Sequence, residues 1–218
     1  MKKQDMDPFY NVQIGNVEFF KDVSLEVLIN SRDEKDDSLF SKAVMCNDLN
    51  CAKVIYERCP SLLYCETYKD GWNALHHAAA RGKPDIVKFL INADVESRRR
   101  GAKKRLTRML DSYGNAAMYL AVANNKQEAV KMLNAADPDF CQPPANDSGL
   151  TPLMCCMSDS SKQEMFKLLL EIAPIQSKTR MGSNGWTTLH YAASKGDVSS
   201  FADILRFCPD CSEVVDNA

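Results

Sequence analysis

The chain has 218 residues, of which 45% are hydrophobic and 26% charged, with a net charge of −2. That balance is ordinary for a globular chain and gives no general attraction to nucleic acid. No apolar run approaches the roughly 18–20 residues needed to cross a bilayer, and the first seven residues lack the apolar core of a secretory signal. The chain as given is expected in the cytoplasm, with the nucleus as the alternative.

In chain order, Met6-Asp7-Pro8-Phe9-Tyr10 followed by Gly15-Asn16-Val17-Glu18-Phe19-Phe20 reads as a shortened helix–turn–helix unit. Residues 1–37 form a degenerate leading repeat and its connector in this reading. From residue 38 a fixed pattern recurs. Each unit has an apolar anchor, small or apolar residues three and four positions on, a turn residue at seven, and apolar residues at twelve and fifteen. Phe40 leads to Ala43, Val44, Asn47, Ala52 and Ile55. Leu75 leads to Ala78, Ala79, Gly82, Val87 and Leu90. Met118 leads to Ala121, Val122, Asn125, Val130 and Leu133, and Leu153 to Cys156, Met157, Ser160, Met165 and Leu168. Leu189 leads to Ala192, Ala193, Gly196, Phe201 and Ile204. The anchors are spaced 35, 43, 35 and 36 residues apart.

Each repeated position has a physical job. A polar residue just before the anchor caps a first helix, and proline is tolerated in its first turn, as in Thr151-Pro152-Leu153. Paired small residues let neighbouring helices approach. Glycine at seven, or asparagine in units one and three, suits a left-handed residue ending that helix. Positions twelve and fifteen form the apolar stripe of a second helix. No single unit can bury its own apolar face, so stacked neighbours must complete the core.

Two units repeat almost verbatim: Gly71-Trp72-Asn73-Ala74-Leu75-His76 and Gly185-Trp186-Thr187-Thr188-Leu189-His190. With the spacing, these motifs resemble the ankyrin repeat, whose unit of about 33 residues carries a Thr-Pro-Leu-His-x-Ala signature. The resemblance implies an all-α ankyrin-repeat solenoid of stacked helix–turn–helix units with connecting β-turn or loop fingers over 38–218. The Met-Asp-Pro start, the Gly-Trp-x-x-Leu-His units and the Cys-Pro or Asp-Pro helix ends resemble, more particularly, plant accelerated-cell-death-type ankyrin membrane proteins. Members of that family carry a membrane domain after the repeats and act in defence and cell-death signalling. Tyr119 and Met154 depart from the signature histidine, and Ala116-Ala117 departs from Thr-Pro. Cys208-Pro209-Asp210-Cys211-Ser212-Glu213-Val214-Val215-Asp216 resembles the linker into a further unit, so the array is expected to end in mid-pattern.

The longest spacing holds a basic insertion at 95–108, with Arg98, Arg99, Arg100, Lys103, Lys104, Arg105 and Arg108 and no acid from 98 onward. Those seven charges leave the rest of the chain at −9 (−2 minus +7). Insertions in solenoids extend loops, often on a binding face. Nuclear import, contact with an anionic membrane surface, an acidic partner and a merely solvated loop all remain open for this segment. No aromatic residue interleaves the charges, so a specific nucleic-acid reader is not expected.

Nine cysteines at scattered spacing do not make a secreted disulfide framework. Cys208-Pro209-Asp210-Cys211 has no second C-x-x-C and no histidine pair nearby, so it reads as a structural or incidental pair, not a metal site. His76 and His190 occupy the signature position, where imidazole can tie one loop to the next, and His77 is expected to face the inner, concave surface. No converging base, nucleophile or phosphate loop accompanies them, so no enzyme, cofactor or metal is expected. Function then rests on variable positions of the concave surface: Lys69, Trp72, His77, Arg81, Tyr113, Tyr119, Asn124, Trp186, Tyr191 and Lys195. Tryptophan, tyrosine and arginine there resemble interface anchors. Trp72 and Trp186 share one register, so packing between turns is an equal reading for them. The expected function is protein–protein interaction, with a soluble adaptor or nuclear regulator using the basic insertion as the alternative.

Overall fold

The computed structural model describes residues 6–140, 146–157, 159–173, 178 and 185–213. The Cys141 linker position and the segment 214–218 lie outside them. A leading pair, α1 (Pro8–Gln13) and α2 (Val17–Asp22), is followed by the short α3 (Leu25–Asn30). Five further pairs follow: α4 (Leu39–Met45) with α5 (Leu49–Arg58), α6 (Ala74–Arg81) with α7 (Pro84–Arg99), and α8 (Ala117–Ala123) with α9 (Gln127–Ala136). The last two are α10 (Pro152–Met157) with α11 (Gln163–Ile172) and α12 (Thr188–Lys195) with α13 (Val198–Phe207). No strand is present among the described residues; isolated bridges Arg32–Ser38 and Leu110–Ala116 close two of the fingers.

Local chemistry sets the ends of these helices. Asn73 and Thr187 accept hydrogen bonds from the first-turn backbone of α6 and α12, while His76 and His190 reach back to the cap, giving two capping boxes. Thr151 Oγ1 accepts from Met154 N at 3.1 Å ahead of Pro152. At the other end, the position seven beyond the anchor is left-handed in four units: φ is 60° at Asn47, 62° at Gly82, 55° at Asn125 and 65° at Gly196. In unit four, Ser160 opens a short 3-10 turn instead.

Stacking supplies the core. First helices pack in the order α1, α4, α6, α8, α10, α12; among second helices α2 meets α5, α7 meets α9, α9 meets α11 and α11 meets α13. Tyr56 and Phe89, with ring centroids 5.8 Å apart, join α5 to α7. Anchors Phe40, Leu75 and Leu153 are fully buried, and each such side chain contributes on the order of 1.5–3 kcal/mol. The leading pair is tied in by Arg58 of α5, whose guanidinium donates to the Phe20 and Val23 carbonyls that end α2.

The basic insertion differs from a loop. Its first residues continue α7, which runs for 16 residues against 10 in α5, α9, α11 and α13. The chain then returns through a 3-10 turn, Leu106–Arg108, with Leu106 and Thr107 buried. An apolar side chain in the return lets it fold onto the array.

Candidate interaction surface

The second, third and fourth fingers each hydrogen-bond to the one before. Tyr68 N donates to Asp36 Oδ2, Ser112 N to the Asp70 carbonyl at 3.0 Å, and Asp147 N to the Tyr113 carbonyl at 3.0 Å. This ladder fixes the spacing of the side chains that the fingers present.

Between the first two fingers lies a pocket of about 190 Å³, lined by Lys35, Asp37, Met45, Thr67, Asp70, Trp72, His77 and Arg81. The structure thus brings three of the predicted residues together: Trp72, His77 and Arg81. His77 is buried rather than displayed. Its Nε2 sits 3.0 Å from Asp37 Oδ1, a close approach without hydrogen-bond geometry, and among the described residues neither atom has a hydrogen-bond partner. Arg81 Nη1 lies 3.3 Å from Nδ1 of the same ring. A guanidinium can only donate, so Nδ1 accepts, and the neutral ring carries its proton on Nε2, toward Asp37. Trp72 meets the His77 ring edge-on at 5.1 Å and donates from Nε1 to Asp111 Oδ2 at 3.1 Å. Trp72 therefore both packs between turns and lines the pocket.

The other predicted residues are spread along the array. Lys69, Tyr113, Asn124 and Lys195 are exposed, as is Arg81 at the pocket, and Trp186 and Tyr191 are half-buried. Lys195 Nζ lies 5.4 Å from the centre of the Tyr191 ring, a cation–π pair at the far end from the pocket. Asn124 Nδ2 donates to the Leu120 carbonyl at 2.8 Å. Tyr119 takes the histidine position of unit three and is half-buried; burial, with Cys155 beside it, pushes its phenol up to about 12. It faces Asn146 in the next finger, so it links neighbouring units as His76 does. Nδ1 of His76 accepts from Asn73 N at 3.1 Å, and the ring faces the Met109 and Asn115 backbone of the following unit. Burial holds that imidazole down to about 4.

Charge pairing changes the reading of the insertion. Asp94, itself buried, accepts from Arg98 Nε at 3.0 Å, Tyr64 Oη at 2.9 Å and Leu106 N at 3.0 Å. Asp137 accepts from Arg105, Thr107 and both Arg108 nitrogens at 2.8–3.0 Å. The Arg108 guanidinium first, then Thr107 and Arg105, hold the Asp137 carboxyl down to about 2. Arg99 and Arg100 reach Glu96. Among the described residues, only Lys103 and Lys104 of the seven cations have no acidic partner. Arg98 lies one helical turn beyond Asp94, a pair visible in sequence. Asp137, about 30 residues away, carries no local signal.

No described helix is long and apolar enough to cross a membrane, and the described residues contain no cluster of three or more His, Cys, Asp or Glu arranged to hold a metal ion. The profile of ankyrin repeats, in a three-copy form, matches residues 12–99, 40–143 and 134–210. The chain belongs to the ankyrin-repeat family. It is 25% identical over 166 residues to the target of rapamycin complex 2 subunit AVO2 of Saccharomyces cerevisiae, covering 76% of this chain and 36% of that protein. It is 30% identical over 133 residues to a transient receptor potential cation channel subfamily A member 1 homolog of Caenorhabditis elegans, covering 60% and 10%. It is also 26% identical over 155 residues to the tyrosine-protein kinase Shark of Drosophila melanogaster, covering 70% and 15%. The chain thus spans little more than a third of these relatives at most. An ankyrin repeat domain from Acinetobacter baumannii, solved at 1.00 Å, superposes with a TM-score of 0.68 at 18% identity, covering 92% of this chain and 96% of that one. That likeness concerns the fold alone. The ankyrin repeat is a scaffold for protein–protein interaction.

Proposed function

We propose that this chain is a non-catalytic interaction module that grips a protein segment on its finger face, around the pocket between the first two fingers. The observation that carries this reading is the set of cations there without an acidic partner among the described residues. Lys35 and Arg81 line the pocket with a half-buried tryptophan, and Lys69 is exposed three residues before that tryptophan, whereas five of the seven insertion cations are already paired. An arginine beside an aromatic ring is the composition of an interface anchor. The repeat framework supports the pocket from beneath without using these side chains for the core.

The cytoplasmic setting, and a place in plant-type defence and cell-death signalling, belong to the same proposal and rest on the Gly-Trp-x-x-Leu-His units and the Met-Asp-Pro start. The adaptor or nuclear-regulator reading, and contact with an anionic membrane, lose support because the insertion's charge is largely neutralised locally. The test is affinity capture from the native cell with four full-length baits: unaltered, Arg81→Glu with Lys35→Glu, Lys88→Glu on the second-helix face, and Lys103→Glu with Lys104→Glu in the insertion. A partner lost only with the first pair supports the finger face. A partner lost only with Lys88→Glu moves the site to the opposite side, and one lost only on replacing Lys103 and Lys104 restores the insertion.

A further inference from the structure

The segment that follows each second helix recurs with one backbone and different side chains. In unit one, Cys59 ends α5 at φ −141° and ψ 77°; in unit five, Cys208 ends α13 at φ −142° and ψ 75°. Cys59 N bonds to the Ile55 carbonyl at 2.9 Å and Leu62 N to the Cys59 carbonyl at 3.2 Å; Cys208 N bonds to Ile204 at 2.8 Å and Cys211 N to Cys208 at 3.0 Å. Unit three repeats the arrangement with Asp137 and Phe140. At the position of the second cysteine, unit one buries Leu62, which is 1% exposed. Only in unit five do both positions carry sulfur. There Cys208 and Cys211 are joined, with Cα atoms 5.6 Å apart and both side chains buried.

The repeat therefore imposes this geometry, and unit one holds it without any covalent link. The backbone that carries the joined pair in unit five is thus one that unit one holds with no bond in it, so breaking the bond need not rearrange the turn. A loop of four residues also restricts the unfolded chain far less than a long one, so closing the bond adds only modestly to the stability of the unit. We infer that Cys208 and Cys211 form a reversible dithiol–disulfide site that sets the stability of the last unit. In the closing reaction, one thiolate attacks oxidised glutathione and releases one glutathione thiol. The second cysteine then displaces the other glutathione, so the pair loses two protons and two electrons and glutathione disulfide is reduced to two thiols. Cys208, slightly more exposed than Cys211 (7% against 0%), takes the first step. Once closed, the bond ties the end of α13 to the turn after it, at an end of the array where a unit has a neighbour on one side only among the described residues.

The test uses the full chain in glutathione buffers of graded ratio, followed by alkylation and mass spectrometry of the peptide 207–218. The expected result is a single-step loss of two hydrogens from that peptide, with Cys46 and Cys65 still free to react with the alkylating agent or glutathione. Backbone amides of α13 should then exchange about tenfold more slowly in the oxidised protein. The Cys211→Leu variant, which restores the side chain of unit one, should keep the fold and lose all dependence of α13 exchange on glutathione. A peptide that stays a dithiol, or carries only glutathione adducts, overturns the inference. So does equal α13 exchange in the two oxidation states of the unaltered chain.

Discussion

Units two and five share a motif nearly letter for letter, yet they are not equally buried. In unit two, Leu75, His76, Ala78 and Ala79 are all fully buried, because α6 lies between α4 and α8. In unit five, Leu189 is 8% exposed, His190 is half-buried and Ala193 is exposed, because α12 packs against α10 on one side and, among the described residues, no first helix on the other. One sequence therefore has two energetic values, set by what stands next to it. In a solenoid, stability belongs to interfaces between units as much as to the units themselves.

The largest expected effect comes from deleting the anchor. Leu75→Ala should cost about 4 kcal/mol in urea unfolding, since its site is closed on all sides and cannot relax into the cavity. Leu189→Ala should cost about 2 kcal/mol, because its site is partly open. Equal costs would mean that the neighbours do not set the value of the anchor.

A second contrast is visible in acid. The His76 imidazole is held down to about 4 by burial, so the folded chain resists a proton that the unfolded chain binds near 6.5. Its contribution is fully present above pH 6.5 and is lost as the pH falls toward 4, by up to about 3 kcal/mol. His76→Gln should flatten that part of the stability curve between pH 7 and 4.5. An unchanged slope would show that the ring is not sealed by the next unit.

The insertion gives a smaller, separable effect. Asp137→Asn removes a carboxylate that binds three side chains and should cost about 2 kcal/mol, with faster exchange at the Leu106 amide. The Asp137 contribution is present above pH 3.8 and is lost as the pH falls toward 2, below the window of His76. Unaltered exchange at Leu106 would mean that Asp94 alone fastens the return.

These cases also mark what could be read from the amino acids. The anchors, the cap before Leu153 and the turn residues at seven were legible because each obeys a local rule of helix starts, stops and periodicity. The insertion was legible as basic, but its neutralisation was not, since Asp137 meets Arg105 and Arg108 only after α9 has stacked on α7. The burial of His77 was missed for the same reason: Asp37 belongs to the preceding finger, and nothing local pairs them. Tyr119 looked like a displayed side chain because its register is shared with residues of the inner face. Its half-burial against Cys155 follows from α10 lying beside α8.

The smallest contrast lies in the turn glycines. Gly82 and Gly196 have nearly equal φ, 62° and 65°, so replacing either by alanine incurs the same left-handed strain of about 1 kcal/mol. Their surroundings differ. A Cβ on Gly82 would lie 2.6 Å from Cδ of Lys126 in the next unit, while one on Gly196 would meet nothing within 4 Å. Lys126 can swing aside, so the extra cost at Gly82 should stay within about 1 kcal/mol, an ordinary rotamer shift. Asparagine at Gly196 should cost less than alanine, because Asn47 and Asn125 already hold this conformation. Thermal unfolding of Gly82→Ala, Gly196→Ala and Gly196→Asn would rank the three. If Gly196→Ala proved the most damaging, a contact absent from the described residues would have to cover that turn.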